Sequence, residues 1–419
     1  MSSRWWTFAC IVGLLGACDK GGVAGKSAPP PAQPATPVAT ARAQSAPLAP
    51  AEPRAEEHTR KSPEQHPHAP LAVCRSKGDP LEAARHYYDA GQFEEALSCA
   101  AQATAFFPEL PQSHSEKGAA LSALGRFPEA QLAYARALAI HPNHLDALLG
   151  AAHLYAVSMP SSRENDELAS TYAERGLAQS RVQKDKQLIA QFALVSAMAF
   201  NDLGQARDAL ARAEEVLRVE EEDREASYER AVALFELCRF DESKQGFLKL
   251  LADEDRGAHA HHHVGLILER ESQLEEAEKH FSEARRLAPE DFSTPQLLSE
   301  AEFKAAVVKA VEELPDDMRR DLAGVPVTAE ELPRDDDLLG GDPPLSPTIL
   351  GLFRGPPLGD RCFVAPGQPC RSVALYRRNL ARAVRSRAEL LEQIRVTLLH
   401  EVGHLRGEDD FELAARGLE

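Results

Sequence analysis

Gly125-Arg126-Phe127-Pro128-Glu129-Ala130-Gln131-Leu132-Ala133-Tyr134-Ala135-Arg136-Ala137-Leu138-Ala139-Ile140-His141-Pro142 reads as a helix with its own punctuation. Gly125 supplies the left-handed turn by which a chain reverses between helices. Ala130 is small where a neighbouring helix comes close, Tyr134 is bulky where the gap needs filling, and Ala137 is small again. Pro142 ends the helix, because it lacks the N–H that would continue it. The plan recurs along the chain. Gly91 and Gly204 stand in the place of Gly125, and Cys238 and Ser272 continue from Gly204 at 34-residue steps. Five positions later come Ala96, Ala209, Ser243 and Ala277. Phe247 and Phe281 repeat Tyr134, Ala103 and Ala284 repeat Ala137, and Pro108 and Pro289 repeat Pro142. Such units cannot bury a face alone, so they stack into an α-solenoid.

This pattern resembles the tetratricopeptide repeat, over residues 77–290, roughly half of the chain. Six repeats are expected. The third, from Leu145, is longer by about eleven residues, and Met159-Pro160-Ser161-Ser162 suggests a lengthened loop between its helices. The resemblance implies a right-handed superhelix whose concave face holds an extended peptide or a helix, hence a protein or peptide partner. In the sixth repeat, His259, His261, His262 and His263 crowd together. His259 and His263 share a helical face, but no carboxylate stands there at ligand spacing and His261 falls at a packing position. The cluster therefore reads as structural.

The other end of the chain carries a different signal. Met1 to Arg4 is short and basic, and Trp5 to Leu15 is apolar but too short for a permanent span. Leu15-Gly16-Ala17-Cys18 resembles the lipobox of bacterial lipoproteins, which implies a signal peptide over 1–17 and lipidation of Cys18. Residues 18–71 are Pro- and Ala-rich, with too little apolar surface to fold, and read as a disordered tether. The expected location is the bacterial cell envelope, with Cys18 anchoring the chain to a membrane.

A formal net charge of −18 argues against nucleic acid as a partner, since phosphate binding needs a basic surface. Asp335-Asp336-Asp337 reads as a solvated loop, because its spacing is not that of a calcium loop. Of seven cysteines, Cys10 leaves with the signal and Cys18 is lipidated. In an oxidising envelope Cys362 and Cys370 can close the short Pro/Gly-containing loop between them, and Cys74 with Cys99 is a weaker second pair. Cys238 is left over as a small core residue. No C-x-x-C occurs, which argues against a cysteine zinc site.

Beyond Pro289 the repeat fades. A helix interrupted near Pro315 is expected over 301–322, short strands at 325–328 and 372–376, and an apolar segment at 349–353. Leu390, Leu391, Ile394, Leu398 and Val402 recur at helical steps over 387–406. That helix ends in His400-Glu401-Val402-Gly403-His404-Leu405-Arg406-Gly407-Glu408-Asp409-Asp410, the H-E-x-x-H-x-x-G-x-x-D form of a zinc hydrolase site. His400 and His404 lie one turn apart on one face, and Glu401 sits beside them as a base for water. Gly407 turns the chain back, and Asp410 can return as the third ligand, leaving a fourth position open. The last methionine, Met318, precedes the motif, so a methionine turn after it is excluded.

The segment from Val308 to Leu418 resembles the small bacterial zincin-like metallopeptidases. The resemblance rests on Glu313-Leu314-Pro315-Asp316-Asp317, Gly351-Leu352-Phe353-Arg354-Gly355, Leu375-Tyr376-Arg377-Arg378 and Thr397-Leu398-Leu399-His400-Glu401-Val402-Gly403-His404. It implies a minimal α+β fold over 301–419, with His400, His404 and Asp410 on zinc and Glu401 as base. It also suggests that the strand ending at Tyr376 pairs with a peptide substrate; Tyr376 itself stays outside the catalytic set. Arg406 departs from the resemblance, which has an aromatic residue before the motif glycine, and the loop holding Cys362 and Cys370 is particular to this chain.

The expected fold is mostly α, a tetratricopeptide-repeat α-solenoid followed by a small α+β zincin-like domain. The expected function is a lipid-anchored zinc metallopeptidase whose repeats bind a partner or substrate. The alternatives are a non-catalytic envelope scaffold with a structural zinc site, and a latent protease released by a partner on the repeats.

Overall fold

The structure, a computed structural model, describes Cys74, residues 78–362 and residues 369–418. The expected signal peptide, Cys18 and the tether lie outside the described residues. Among the described residues, no helix is long and apolar enough to cross a membrane.

The first half is a stack of six helix pairs. They are α1 (Pro80–Asp89) with α2 (Phe93–Phe106), α3 (Pro111–Ala123) with α4 (Phe127–Ile140), and α5 (Leu145–His153) with α6 (Arg163–Gln183). Then come α7 (Lys186–Asp202) with α8 (Ala206–Leu217), α9 (Arg224–Glu236) with α10 (Phe240–Leu248), and α11 (Gly257–Arg270) with α12 (Leu274–Leu287). Gly91, Gly125 and Gly204 hold φ of 72°, 71° and 70° at the turns within their pairs. Cys238 and Ser272 hold the same left-handed conformation, at 57° and 62°, although each carries a Cβ. Bulky rings interlock with small positions: a Cβ on Gly118 or on Gly150 would stand 2.7 or 2.5 Å from the Tyr134 ring, and one on Gly265 2.6 Å from Phe281. A disulfide between Cys74 and Cys99 ties the chain before α1 to α2.

The third pair corrects the expectation of a long loop. Its extra residues extend helices instead: α5 runs on through one π-helical turn, Leu154–Ser158, and α6 is 21 residues long. The connection is tight because Ser162 caps α6, accepting the Asn165 N–H, while the Asn165 side chain donates to the Pro160 carbonyl at 2.8 Å.

The terminal region begins with α13 (Glu300–Glu312), opened by a Ser299/Glu302 capping box, and α14 (Asp316–Asp321). There follow β1 (Val327–Glu330), α15 (Asp335–Leu338), β2 (Gly351–Arg354), β3 (Ser372–Tyr376), α16 (Arg377–Arg382), α17 (Arg387–Arg406) and α18 (Asp410–Ala414). The sheet order is β1-β3-β2, with β1 parallel and β2 antiparallel to β3. Leu390, Ile394, Leu398, Val402 and Leu405 of α17 are buried against the sheet and α13.

Two expectations change here. The strand ending at Tyr376 is central, hydrogen-bonded on both sides, so it offers no free edge to a substrate. Asp335-Asp336-Asp337 is helical where a loop is expected, though Asp335 and Asp336 are exposed: it forms α15, where Asp337 receives the Arg354 guanidinium at 2.7 Å and Asp335 receives Arg270 at 2.5 Å. Clustered carboxylates stay ordered here because guanidinium groups neutralise them.

Solenoid and terminal region share a core. Cys238 and Phe240, at the turn into α10, pack against buried Leu338, Ile349, Leu352, Ala374 and Tyr376. Glu269 of α11, 6 % exposed, accepts from Arg378 at 2.7 Å and from Arg382 at 2.5 Å.

Candidate metal centre

Helix α17 carries His400, Glu401 and His404, and its stop at Gly407, with φ of 90°, redirects the chain into α18. Asp409 caps α18 in a second capping box with Glu412, which sets Asp410 at the first position of that helix. The three candidate ligands meet. His400 and His404 present their Nε2 atoms 2.9 Å apart, and the Asp410 Oδ1 lies 3.6 and 3.3 Å from them. Among the described residues this is the group of three or more His, Cys, Asp and Glu whose donor atoms gather within 4.8 Å.

The hydrogen bonds of the two imidazoles suit this group to a cation. The Nδ1 of His400 donates to the Leu418 carbonyl at 2.6 Å, and that of His404 to the Glu408 carbonyl at 3.0 Å. A carbonyl can only accept, so both Nδ1 atoms carry hydrogen, and in its neutral form each ring turns a bare Nε2 lone pair inward. Asp410 Oδ1 joins them, buried and with no hydrogen-bond partner. Two lone pairs and one carboxylate oxygen pointing at one spot fit a zinc ion, which takes nitrogen and oxygen ligands in this number.

Glu401, 3 % exposed, is held next to this spot from the sheet side. Its Oε2 accepts the Phe353 N–H at 2.6 Å, a donor from the outer edge of β2. Burial pushes the Glu401 carboxyl up to about 7, while His404 and the Phe353 N–H pull it back. Burial lowers His400; His404 is raised, since Asp410 and Glu401 outweigh its burial. The close approach of α17 to β2 needs Gly351: a Cβ there would stand 2.7 Å from Thr397 Cγ2 and 2.9 Å from Glu401 Oε1.

The surroundings fix the end of α17. Arg406 pairs with Asp317 at 2.6 Å and Asp321 at 2.9 Å, joining α17 to α14. Cys362 and Cys370 form a disulfide. Beside it, the Leu358 N–H donates to the Leu405 carbonyl at 2.8 Å, and Arg371 donates to the carbonyls of Pro356, Pro357 and Asp360.

Other candidates stay apart from this site. His263 Nδ1 donates to the His259 carbonyl and His261 meets His280, so the histidines of α11 serve packing. His261, His262 and His263 are all part-buried; His262 stacks on Phe292 and His263 on Phe247, His259 meets Phe292 edge-on, and His261 lies against His280. Tyr376 is fully buried with its hydroxyl 3.4 Å from Arg354. The partners that sequence reasoning missed are main-chain atoms of Phe353, Glu408 and Leu418. A side-chain motif cannot announce them; Gly351, placed at a close helix–strand contact, was the available hint.

A helical-pair solenoid with a three-stranded α+β unit bearing an H-E-x-x-H helix has counterparts among known families. Residues 322–418 match the family described as zincin-like metallopeptidase, and residues 81–144 and 194–243 match the tetratricopeptide repeat. The chain thus joins tetratricopeptide repeats to a zincin-like metallopeptidase region. Among solved structures it is similar to YrrB, a TPR protein with an unusual peptide-binding site, at 18 % identity and a TM-score of 0.36, covering 46 % of this chain and 93 % of that one. It is also similar to PilW, a type IV pilus biogenesis factor, at 15 % identity and 0.41, covering 50 % and 93 %. PilF of Pseudomonas aeruginosa aligns at 15 % identity and 0.41, covering 54 % and 95 %. None of the curated proteins matches this sequence.

Proposed function

We propose that the protein is a lipid-anchored zinc metallopeptidase of the bacterial cell envelope, hydrolysing peptide bonds, whose repeats hold a protein partner or substrate. The observation that carries this reading is Glu401, a buried carboxylate beside three converging ligand atoms with its own backbone donor. A site that only held an ion for structure would have no use for that base.

His400, His404 and Asp410 would hold the zinc, which when bound supplies a Lewis acid that polarises a carbonyl and acidifies water. Glu401, with its carboxyl near 7, is matched to taking a proton from water and returning it to the leaving amine at neutral pH. The Phe353 N–H anchors Oε2, so Oε1 is the oxygen left for proton transfer. The substrate-pairing role first assigned to β3 falls away, since β3 is central and the outward Phe353 N–H of β2 is taken by Glu401. Anchoring through Cys18 follows from the lipobox resemblance.

The test compares zinc-loaded wild type with Glu401→Gln on a broad peptide library. Retained zinc with activity reduced by about 10²–10⁴-fold supports the proposal; identical activity of the two proteins sinks it. Metabolic labelling with a radioactive fatty acid, lost in Cys18→Ala, tests the anchor separately.

A further inference from the structure

A cavity of about 230 Å³ opens where the last helix pairs meet the terminal region, and none of His400, Glu401, His404 or Asp410 lines it. Its apolar wall includes Phe235 of α9, Phe281 of α12 and Phe292 beyond it. Burial keeps His262 and His263 well towards the neutral form, so these rings extend the aromatic wall without adding charge. Facing them are guanidinium groups: Arg285 of α12, Arg382 at the end of α16, and Arg385 in the link into α17.

Arg382 is the decisive group. Its Nη2 donates to Glu269, and its guanidinium carbon lies 4.7 Å from the centre of the Phe281 ring. Its Nε and Nη1 are buried without a hydrogen-bond partner, as is the Nδ1 of His259 on the same cavity. A buried charged donor left unsatisfied is costly, and its persistence in a fold calls for an acceptor from elsewhere. Two carboxyl groups also line the cavity, Asp291 and Glu236. Burial lifts Glu236 to about 7 against the pull of Ser346, so near neutrality it carries only part of a charge; Arg285 pairs with Glu278 and Arg382 with Glu269, and it is the Nε and Nη1 of Arg382 that remain as unpaired donors.

We infer that this cavity binds a small carboxylate bearing an aromatic or branched apolar group, its anion meeting Arg382 and its apolar body lying against Phe281 and Phe292. Guanidinium forks match carboxylates in geometry as well as charge, and aromatic walls suit the apolar remainder. Because Arg382 is already tied to Glu269 of α11, an occupant would join the repeats to the link that leads into α17.

The experiment is calorimetric titration of the zinc-loaded full chain with N-acetylphenylalanine and with its uncharged amide. The expected result is saturable one-to-one binding of the acid and at least about tenfold weaker binding of the amide, the loss of one charged contact. Arg382→Gln removes the anion's partner; Ser293→Trp, at an exposed lining position, fills the cavity and leaves Arg382 in place. Both should weaken the acid at least about tenfold with zinc content unchanged. Equal binding of acid and amide, no binding by wild type, or binding that survives Ser293→Trp overturns the inference. So does displacement of the probe by a hydroxamate directed at the metal centre.

Discussion

The imidazole of His400 donates its Nδ1 hydrogen to the main-chain carbonyl of Leu418, 2.6 Å away and eighteen residues further along the chain. That bond selects the tautomer which leaves Nε2 free for metal. A chain ending at Arg416 loses this acceptor while keeping all three candidate ligands. Its zinc affinity, measured by chelator competition, should fall about 10–100-fold, the usual effect of losing such a partner. Unchanged affinity would show that Leu418 does not orient the ligand.

Gly351 should tolerate no side chain. A Cβ would press on Thr397 and on the Glu401 carboxylate. Gly351→Ala is expected to lower stability by about 1–3 kcal/mol, the usual cost of overpacking. The proposed peptidase activity should drop even where zinc binding holds, because Glu401 is the group displaced. A variant with wild-type melting and activity would contradict the close approach of α17 to β2.

Ser272 occupies a left-handed turn that glycine fills at three equivalent places. Ser272→Gly should stabilise the protein by about 1 kcal/mol, the strain removed exceeding the entropy added to the unfolded chain. Gly204→Ala should move the midpoint of urea unfolding the other way by a similar amount.

Glu269 holds two arginines in the buried junction. Glu269→Ala leaves both cations without it and should destabilise by about 3–5 kcal/mol, as for other broken buried pairs. Calorimetry should then show solenoid and terminal region melting less cooperatively. A single unshifted transition would mean that the shared apolar cluster alone joins them.

The junction should also respond to pH. Burial raises the Glu236 carboxyl from 4.5 to about 7. The folded protein thus holds this proton more tightly than the unfolded chain, so stability is fully present below about 4.5 and is lost as pH rises towards 7. Glu236→Gln removes this dependence. Its melting temperature relative to wild type should be higher at pH 8 than at pH 5, by an amount corresponding to about 1–3 kcal/mol. An equal difference at the two pH values would count against the shift.

What could be read from side chains was readable, and what rests on backbone was not. The bounds of α17 follow from Leu390, Ile394, Leu398 and Val402 on one face and Gly407 at the end, because periodicity and a stop signal are both local. The turn positions of Cys238 and Ser272 emerged only from register, since neither residue advertises a left-handed conformation. Extra residues in the third repeat looked like loop because proline and serine dominate 159–162, yet a serine cap and an asparagine bond compress that segment and lengthen α6. The centrality of β3 was hidden because strand order depends on distant pairing, which alternation along one strand does not encode. Asp335-Asp336-Asp337 misled for a similar reason: Arg354 and Arg270, which order it, lie far off in sequence.

The junction at Glu269 and Phe240 has a consequence for competition. The first helices of the last two pairs already engage the chain's own terminal region through Glu269, Arg270 and the turn at Cys238. A visitor to those surfaces would have to evict a covalently attached rival, whose effective concentration no free peptide matches. The earlier pairs are therefore where an outside protein or peptide segment, as distinct from a small molecule in the junction cavity, meets the least resistance.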